Sequence, residues 1–249
     1  MSNTLNTVLE QEESYLLVYK NSEKEVTEST DKKEIEFSSL RELELLKLAL
    51  GDTVDRIYIG TNGEIANSAL NEASWNYRNP QEMYDISTKI PIPKIVIDEI
   101  KDSNKPIGKE MVHKKNPENV LISEPKNHGN VWYFKGFSDI AELNSDHLSD
   151  HVDGIKLFEA FRQATLASLH LNGLQHNGVV ALTNFKIDYI SYVELDEPYI
   201  IQAIPACEKD GGAMFCVFNI IQGDKVVTKG FLGAYTFRSK EIYLEKRRK

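Results

Sequence analysis

The stretch DHLSDHVDGIKLFEAFRQATLASLHLNG, residues 146–173, carries the strongest structural signal in the chain. On a helical wheel its small and apolar side chains gather on one face, formed by Ala160, Phe161, Ala164, Ala167, Ser168 and Leu171. A face of this kind suits close packing beneath a sheet. The pattern predicts one helix of about 18 residues, or roughly five turns, that begins near Asp153.

Strand-like runs lie on both sides of this predicted helix. Two short runs precede it at 119–123 and 131–134, and four longer runs follow it at 179–190, 197–205, 213–222 and 225–237. Turn signals such as Gly223-Asp224 separate the later runs, which is typical of antiparallel strands. The sequence therefore predicts an α+β unit in which a sheet wraps around the helix, because that is the simplest way to bury it.

Charge divides unevenly along the 249 residues, whose net charge is −9. Residues 1–110 hold 13 basic and 21 acidic side chains, whereas residues 111–249 hold 16 and 17. The segment KDSNKPIGK at 101–109 has the composition of a linker or an exposed turn. We therefore predict an N-terminal α+β region over 1–108 and a second unit over 109–249.

The N-terminal region has recognisable elements but no catalytic motif. Short strand-like runs occur at 14–20, 34–37 and 54–59. Ser38 and Ser39 precede a predicted helix that runs to Leu50, with Gly51 as its stop signal. A second helical segment is predicted at 64–78, and the role of the region stays open.

Composition excludes several classes of protein. Hydrophobic residues make up 41% and aromatic residues 9%, as in a globular protein. The acidic balance disfavours binding to nucleic acid, which needs a basic surface, and no apolar run approaches the length of a membrane span. Cys207 and Cys216 are too few for a disulfide framework, which indicates a reducing compartment. We expect a cytoplasmic protein with no nucleic-acid or membrane partner.

The second face of the predicted helix is charged and polar, and it admits two interpretations. It carries Lys156, Glu159, Arg162, Gln163 and His170. Most charged stripes on amphipathic helices are solvent-exposed surfaces. Alternatively, Glu159 and Arg162, three residues apart and therefore neighbours, lie in a cleft where the carboxylate acts as a base and the guanidinium grips an anion. Spacing alone leaves both interpretations open.

The segment DHVDGIKLFEAFRQA at 150–164 resembles the motif D-H-V-P-G-x-x-L-x-E-A-x-R-Q-A of the A-factor biosynthesis hotdog family. The segment KEMVHK at 109–114, followed by ENVL at 118–121, is similar to the opening of that family's hotdog repeat, and VELDEP at 193–198 resembles its strand junction. The resemblance covers about 109–237. It implies a hotdog fold, an antiparallel sheet wrapped around a long central helix.

The same motif is similar to that of the β-hydroxyacyl thioester dehydratases, in which P-G-x-x-x-x-E-A opens the helix. Gly154 and Glu159 keep this register. The resemblance implies that the helix N-terminus binds the thioester carbonyl, that Glu159 is the catalytic base and that Arg162 binds or orients an anion. His147 and His151 would line the entrance, and Gly154 and Gln163 would complete the substrate-binding set. Asp153 replaces the family's proline, and we expect it to cap the helix.

The resemblance implies an acyltransferase. It would move a β-ketoacyl group from an acyl carrier protein or coenzyme A thioester to a glycerol-derived acceptor such as dihydroxyacetone phosphate, toward a γ-butyrolactone signal. The phosphopantetheine-linked acyl substrate would be needed, but no metal or further cofactor. Two alternatives stay open: dehydration or hydrolysis of an acyl thioester, and a non-catalytic acyl-binding or regulatory module.

The copy number of the motif bears on assembly. Full-length members of the family carry two hotdog repeats, whereas this chain shows the motif once. Because hotdog sites form between two units, we expect a homodimer; alternatively, 1–108 is a diverged partner unit.

Three further features have weaker functional interpretations. His147 and His151 flank a carboxylate in a spacing that resembles an inverted zinc-peptidase motif, but Asp150 replaces the required Glu, so no metal site is predicted. The two cysteines are interpreted as buried or incidental thiols. The basic run EKRRK at 245–249 is interpreted as a solvated tail, or alternatively as a contact for an acidic carrier protein.

Overall fold

The computed structural model describes residues 13–20, 32–59, 64–65, 74–138, 143, 149–208 and 211–248. Its strands are β1 (Tyr15–Tyr19), β2 (Lys33–Phe37), β3 (Val54–Tyr58), β4 (Glu64–Ile65), β5 (Lys126–His128), β6 (Val131–Lys135), β7 (Val179–Tyr189), β8 (Tyr199–Cys207), β9 (Gly212–Gln222) and β10 (Lys225–Phe237). Its α-helices are α1 (Leu40–Leu50), α2 (Pro80–Ile86), α3 (Lys94–Lys101), α4 (Gly154–Leu171) and α5 (Lys240–Arg247).

Helix α4 and a six-stranded antiparallel sheet form the hotdog unit. The strand order is β5-β6-β8-β9-β10-β7. The apolar face of α4 packs on this sheet, and Phe161 stacks on Phe218 of β9 with 3.7 Å between ring centroids. The predicted α+β hotdog fold is therefore confirmed, with a central helix of 18 residues.

The central strands are buried on both faces, which explains their nearly continuous apolar sequences. In β8 and β9 one set of side chains belongs to the core that contains α4, namely Ile201, Ala203, Met214, Cys216, Phe218 and Ile220. The alternate set belongs to a second core shared with the N-terminal region, namely Ile200, Ile204, Ala206, Phe215 and Val217. The molecule thus has a middle sheet between α4 and an N-terminal layer.

The N-terminal layer is not a second hotdog in the residues that the structure describes. Its four strands have the order β2-β1-β3-β4, and β1 runs parallel to both β2 and β3. Together with α1, α2 and α3 it covers the outer face of the hotdog sheet. In the described residues this arrangement differs from a hotdog, which has a central helix within an antiparallel sheet; the role of 1–108 as a diverged partner unit stays a prediction. The boundary at 108 stays a prediction.

A buried polar network fixes this layer in place. Asn219 of β9 donates to the Ser87 carbonyl at 3.2 Å and to Gln202 Oε1 at 2.7 Å. Gln202 in turn donates to the Ile90 carbonyl at 3.1 Å. All three polar side chains, Ser87, Gln202 and Asn219, are buried. Because each of these groups is paired, the turn at 87–90 has one favoured position on the sheet.

Several local predictions were wrong. The segment 119–123 forms isolated bridges at Ile122 and Ser123 instead of a strand. The helix predicted at 64–78 is absent where it can be checked, because 64–65 form β4 and 74–78 are not helical; 66–73 lie outside the described residues. The short helices α2, α3 and α5 were not predicted, since eight residues or fewer give little periodicity. In the described ranges no helix is long and apolar enough to cross a membrane.

Candidate functional site

The N-terminus of α4 is shaped by Gly154 and its neighbours. Asp153 occupies the N-cap position, but its carboxylate does not cap the helix and instead faces Lys156 Nζ at 3.7 Å. The predicted capping role is therefore wrong. A Cβ atom on Gly154 would lie 2.9 Å from the Tyr189 hydroxyl, which donates to the Gly154 carbonyl at 3.0 Å. Glycine thus allows Tyr189 to lie against the first turn, whose backbone N–H groups form the positive end of the helix.

The segment before α4 is held against the strand junction at 193–194. Val152 N donates to the Val193 carbonyl at 2.8 Å, and His151 forms a backbone bridge with Glu194. The His151 ring lies 4.5 Å from that of Tyr192, and its Nδ1 lies 2.8 Å from Asp150 Oδ1. His151 therefore lies near the helix N-terminus, and its entrance role stays a prediction; His147 lies outside the described residues.

A small open cavity lies beside this segment. Its volume is about 360 Å³, and its lining includes Gly136, Phe137, Val152, Leu195, Pro198 and Tyr199. Volumes of this size fall within the range of small-molecule sites. A larger groove of about 820 Å³ lies at the opposite end of α4, where Asn172 and Leu174 meet Trp75 and Cys207.

Glu159 lies in a cluster of cationic and amide donors on the charged face of α4. Arg162 donates to both carboxylate oxygens, each at 2.7 Å, and Gln163 donates to Oε1 at 3.0 Å. Lys114 Nζ lies 3.1 Å from the same oxygen. Burial raises the pKa of Glu159, but hydrogen bonds from Arg162 and Gln163 and the nearby positive charge outweigh it and lower the pKa to about 2. The carboxylate is therefore ionised at neutral pH, and in this state it is a weak base.

Gln163 holds the backbone of a neighbouring segment. Its side chain is fully buried, donates to the Asn119 carbonyl at 2.8 Å and accepts from Leu121 N at 2.8 Å. These bonds use the amide of Gln163, and they hold the backbone of 119–121 beside Glu159. The predicted binding role of Gln163 stays a prediction.

Sequence reasoning did not single out Lys114 or His113 as site residues. His113 Nε2 lies 2.9 Å from His170 Nε2, and His170 Nδ1 donates to the Leu174 carbonyl at 2.9 Å. His113 has a left-handed backbone with φ 55°, and Arg162 Nη2 reaches the preceding Val112 carbonyl at 3.4 Å. The only sequence signal for these two residues was that 109–114 resembles a family segment. Spacing in the sequence could not reveal their contact with α4, because the contacting residues are about 45 to 57 positions apart.

The thiols and possible metal ligands add no second reactive centre to the described part of the chain. Burial raises the pKa of Cys216 to about 12 and also raises that of Cys207. Among the described residues, no three His, Cys, Asp or Glu side chains are arranged to hold a metal ion. The cluster around Glu159 is thus the strongest candidate site.

Comparison with known proteins places this site in a family context. The profile of the A-factor biosynthesis hotdog domain matches residues 96–237, more than half of the chain. The match contains all of α4 and both 109–114 and 193–198. No curated protein sequence matches the chain significantly.

Similar solved structures have low sequence identity. The dehydratase heterocomplex ApeI:P from Xenorhabdus doucetiae is 16% identical, with a TM-score of 0.45 over 58% of this chain and 98% of that chain. The HP0420-homologue from Helicobacter felis is 14% identical, with a TM-score of 0.40 over 57% and 96%. A hypothetical thioesterase with coenzyme A from Streptococcus pneumoniae is 16% identical, with a TM-score of 0.37 over 45% and 84%. Similarity at this level assigns no substrate.

Proposed function

Because the chain belongs to the A-factor biosynthesis hotdog domain family, we propose that it is an acyltransferase acting on acyl thioesters. The acyl donor is a β-ketoacyl group on an acyl carrier protein or coenzyme A, and the acceptor is a phosphorylated glycerol derivative such as dihydroxyacetone phosphate. The observation that carries the proposal is the cluster in which Glu159 and Arg162, on the first half of the central helix, meet Lys114 from the segment at 109–114.

In this proposal the N-terminus of α4 binds the thioester carbonyl, and Glu159 further along the helix activates the acceptor hydroxyl. Lys156 N and Leu157 N already donate to the Asp153 carbonyl, so in this proposal the N–H groups of Gly154 and Ile155 stabilise the oxyanion that forms when the thioester carbonyl is attacked. Glu159 follows five residues later, about 7.5 Å along the helix axis at 1.5 Å per residue. In this proposal the acceptor spans this distance and places its hydroxyl between Glu159 and a carbonyl bound at the helix end.

Arg162 and Lys114 form the acceptor's phosphate site in this proposal. Their side chains are partly buried, and they bring two positive charges against the single negative charge of Glu159. A guanidinium group binds two oxygens of a phosphate in the same forked geometry that it uses here for the carboxylate. The cluster therefore has one excess positive charge with which to attract an anionic acceptor.

Acceptor binding would also activate Glu159. When a phosphate takes Arg162 and Lys114, the carboxylate loses their hydrogen bonds and keeps only that of Gln163, and the phosphate offsets their positive charge, so the pKa of Glu159 rises. Glu159 then accepts the acceptor's hydroxyl proton while the oxygen attacks the carbonyl carbon. The carbon–sulfur bond breaks, and the departing thiolate takes the proton from Glu159. No proton is gained or lost overall.

The substitution Glu159→Gln tests this proposal. It keeps the shape of the side chain but removes the proton acceptor, so acyl transfer is expected to fall about 10²–10⁴-fold. Transfer is measured by product analysis, using β-ketoacyl and β-hydroxyacyl thioesters with and without acceptor. Full activity of the variant would overturn the assignment, and acceptor-independent release of free acid would favour thioester hydrolysis. Circular dichroism and thermal unfolding check that the fold is intact.

We further propose that the protein acts as a homodimer joined through β7. This strand lies at one edge of the sheet, and it carries an exposed Leu182. Ile155 and Ile190, near the α4 N-terminus, are exposed as well. An open edge strand with apolar neighbours is suited to pairing with a second chain. Because Tyr189 at the end of β7 donates to the Gly154 carbonyl, the pairing would bring a second chain beside the α4 N-terminus.

A further inference from the structure

The C-terminal helix α5 packs on the chain through Tyr243, whose ring lies 5.3 Å from that of Phe237, but most of its surface is exposed. None of its residues is buried. Ser239 caps it by accepting from Ile242 N at 3.4 Å, and Lys246 and Arg247 lie in the last turn, where positive charge is favourable. A helix of eight residues is marginal without tertiary contacts. The sequence therefore caps and ends a helix most of whose surface is open to solvent.

The outer surface of α5 is basic and partly apolar. Residues 238–248 contain five basic and two acidic side chains, in a chain whose net charge is −9. Ile242 and Leu244 are exposed between these charges. Lys246 Nζ lies 5.6 Å from the centre of the Phe237 ring, and the Arg247 guanidinium lies 5.5 Å from that of Tyr243. These ring contacts restrict the two cations, which lowers the entropy cost of binding an acidic partner.

The sheet register relates α5 to the proposed dimer. Strand β10 ends at Phe237, which is paired with Val179 at the start of β7. At the other end of β7, Tyr189 contacts Gly154. Antiparallel pairing of β7 with its copy would bring Val179 near Tyr189 of the partner subunit. Strand spacing is about 4.8 Å, so the start of α5 would lie roughly 10 Å, or two spacings, from that end of the partner's strand.

We propose that α5 is the docking surface for an acidic carrier protein that delivers the acyl thioester, and that it serves the α4 N-terminus of the partner subunit. The inference rests on the acyl-transfer function and on the β7 dimer proposed above. The basic and apolar side chains of α5 complement an acidic helical surface. Among the described residues, Lys246, Arg247 and Arg248 form no ion pair that such a partner would have to displace.

Charge reversal tests the docking surface. In the variant K246E/R247E/R248E, we expect the KM for an acyl carrier protein thioester to rise about tenfold or more. The variant loses both the electrostatic attraction that guides the acidic carrier to α5 and the charged contacts with it. Turnover of the same acyl group on coenzyme A is expected to stay unchanged. The control K33E/K94E/K101E makes the same charge change at exposed positions of the N-terminal layer. It is expected to leave both thioesters unaffected.

Mixed dimers test which subunit α5 serves. Glu159→Ala and the α5 charge-reversal variant are each expected to be poorly active with the carrier thioester. When the two variants are mixed in equal amounts, random pairing gives about half of the dimers one subunit of each kind. If α5 serves the partner, one site in each mixed dimer has an intact Glu159 and an intact partner α5. About a quarter of all sites are then functional. The restored activity with carrier thioester is therefore expected to approach one quarter of the wild-type value.

The outcomes separate failure of this inference from failure of the proposed function. If the wild type transfers nothing from either thioester, the proposed function is wrong. If transfer from coenzyme A persists and the α5 variant keeps its KM for the carrier, the docking inference is wrong. A carrier defect without restoration in mixed dimers would overturn delivery to the partner. Loss of the dimer in the α5 variant would instead assign α5 to the subunit interface.

Discussion

At the scale of single residues, the side chains of this protein owe their chemistry to partners that are distant in sequence. Glu159 is an example, because Lys114 reaches it from a segment 45 positions earlier. The pair of His113 and His170 is another. In the neutral state His170 Nδ1 must carry the hydrogen, since a carbonyl can only accept, so His113 Nε2 donates to His170 Nε2.

This histidine pair predicts an acid sensitivity of the fold. Burial lowers the pKa of His113 and of His170 below the ordinary 6.5, and the charges of His170, Arg162 and His176 further lower that of His113. The unfolded chain therefore binds protons first as pH falls. The stabilising contribution is complete above pH 6.5 and is lost as pH falls through the lower folded-state values.

Urea unfolding at pH 7.5 and at pH 5.5 measures this effect. The wild type is expected to lose more unfolding free energy between these pH values than the variant H113N/H170N. The variant H176N removes only the smaller charge contribution of the exposed His176, which stacks on His170, so it is expected to keep most of the wild-type pH dependence. Equal pH dependence in all three proteins would contradict a role for the buried pair.

At the scale of elements, the buried polar network shows how two layers are joined. Asn219 of β9 uses both amide atoms, because its nitrogen donates to Ser87 and Gln202 and its oxygen accepts from Ser87 Oγ at 3.1 Å. Asn219→Ala would leave buried polar groups on the other residues without partners. The expected cost is about 2–4 kcal/mol of unfolding free energy, from desolvated groups and a cavity.

Chemical denaturation of Asn219→Ala checks this value. Asn127→Ala is a suitable control, since Asn127 is exposed on the short strand β5. We expect the control to change stability by less than about 0.5 kcal/mol. A cost below 1 kcal/mol for Asn219→Ala would mean that apolar contacts alone hold the N-terminal layer.

At the scale of the whole molecule, the free β7 edge predicts a dimer that can be split. L182E/I190E places two charges beside this edge, and we expect the protein to become monomeric and to lose acyl transfer. Leu40→Glu is the control, because Leu40 is also exposed but lies in the N-terminal layer. Light scattering after size exclusion gives the masses. An unchanged dimer in L182E/I190E would place the interface elsewhere.

Local pattern accounted for much of the hotdog unit. The periodicity of 153–171 predicted α4 closely, and the runs 213–222 and 225–237 correspond to β9 and β10. The family motif added Glu159, Arg162, Gly154 and His151, which the structure places on or just before the first half of the helix. The N-terminal layer was less predictable, because its helices are short and its parallel strands pair between segments that are well separated in the sequence.

The sequence by itself determined the central helix, the long strands and the family, because helical and strand periodicity and the motif are properties of consecutive residues. Only the tertiary structure decided that Glu159 is held ionised by Lys114 and Arg162, that Gln163 is enclosed, and that the N-terminal layer covers the outer face of the sheet. These features depend on contacts between residues far apart in the chain. A pKa or a buried face is set by the full three-dimensional surroundings, which local spacing does not specify.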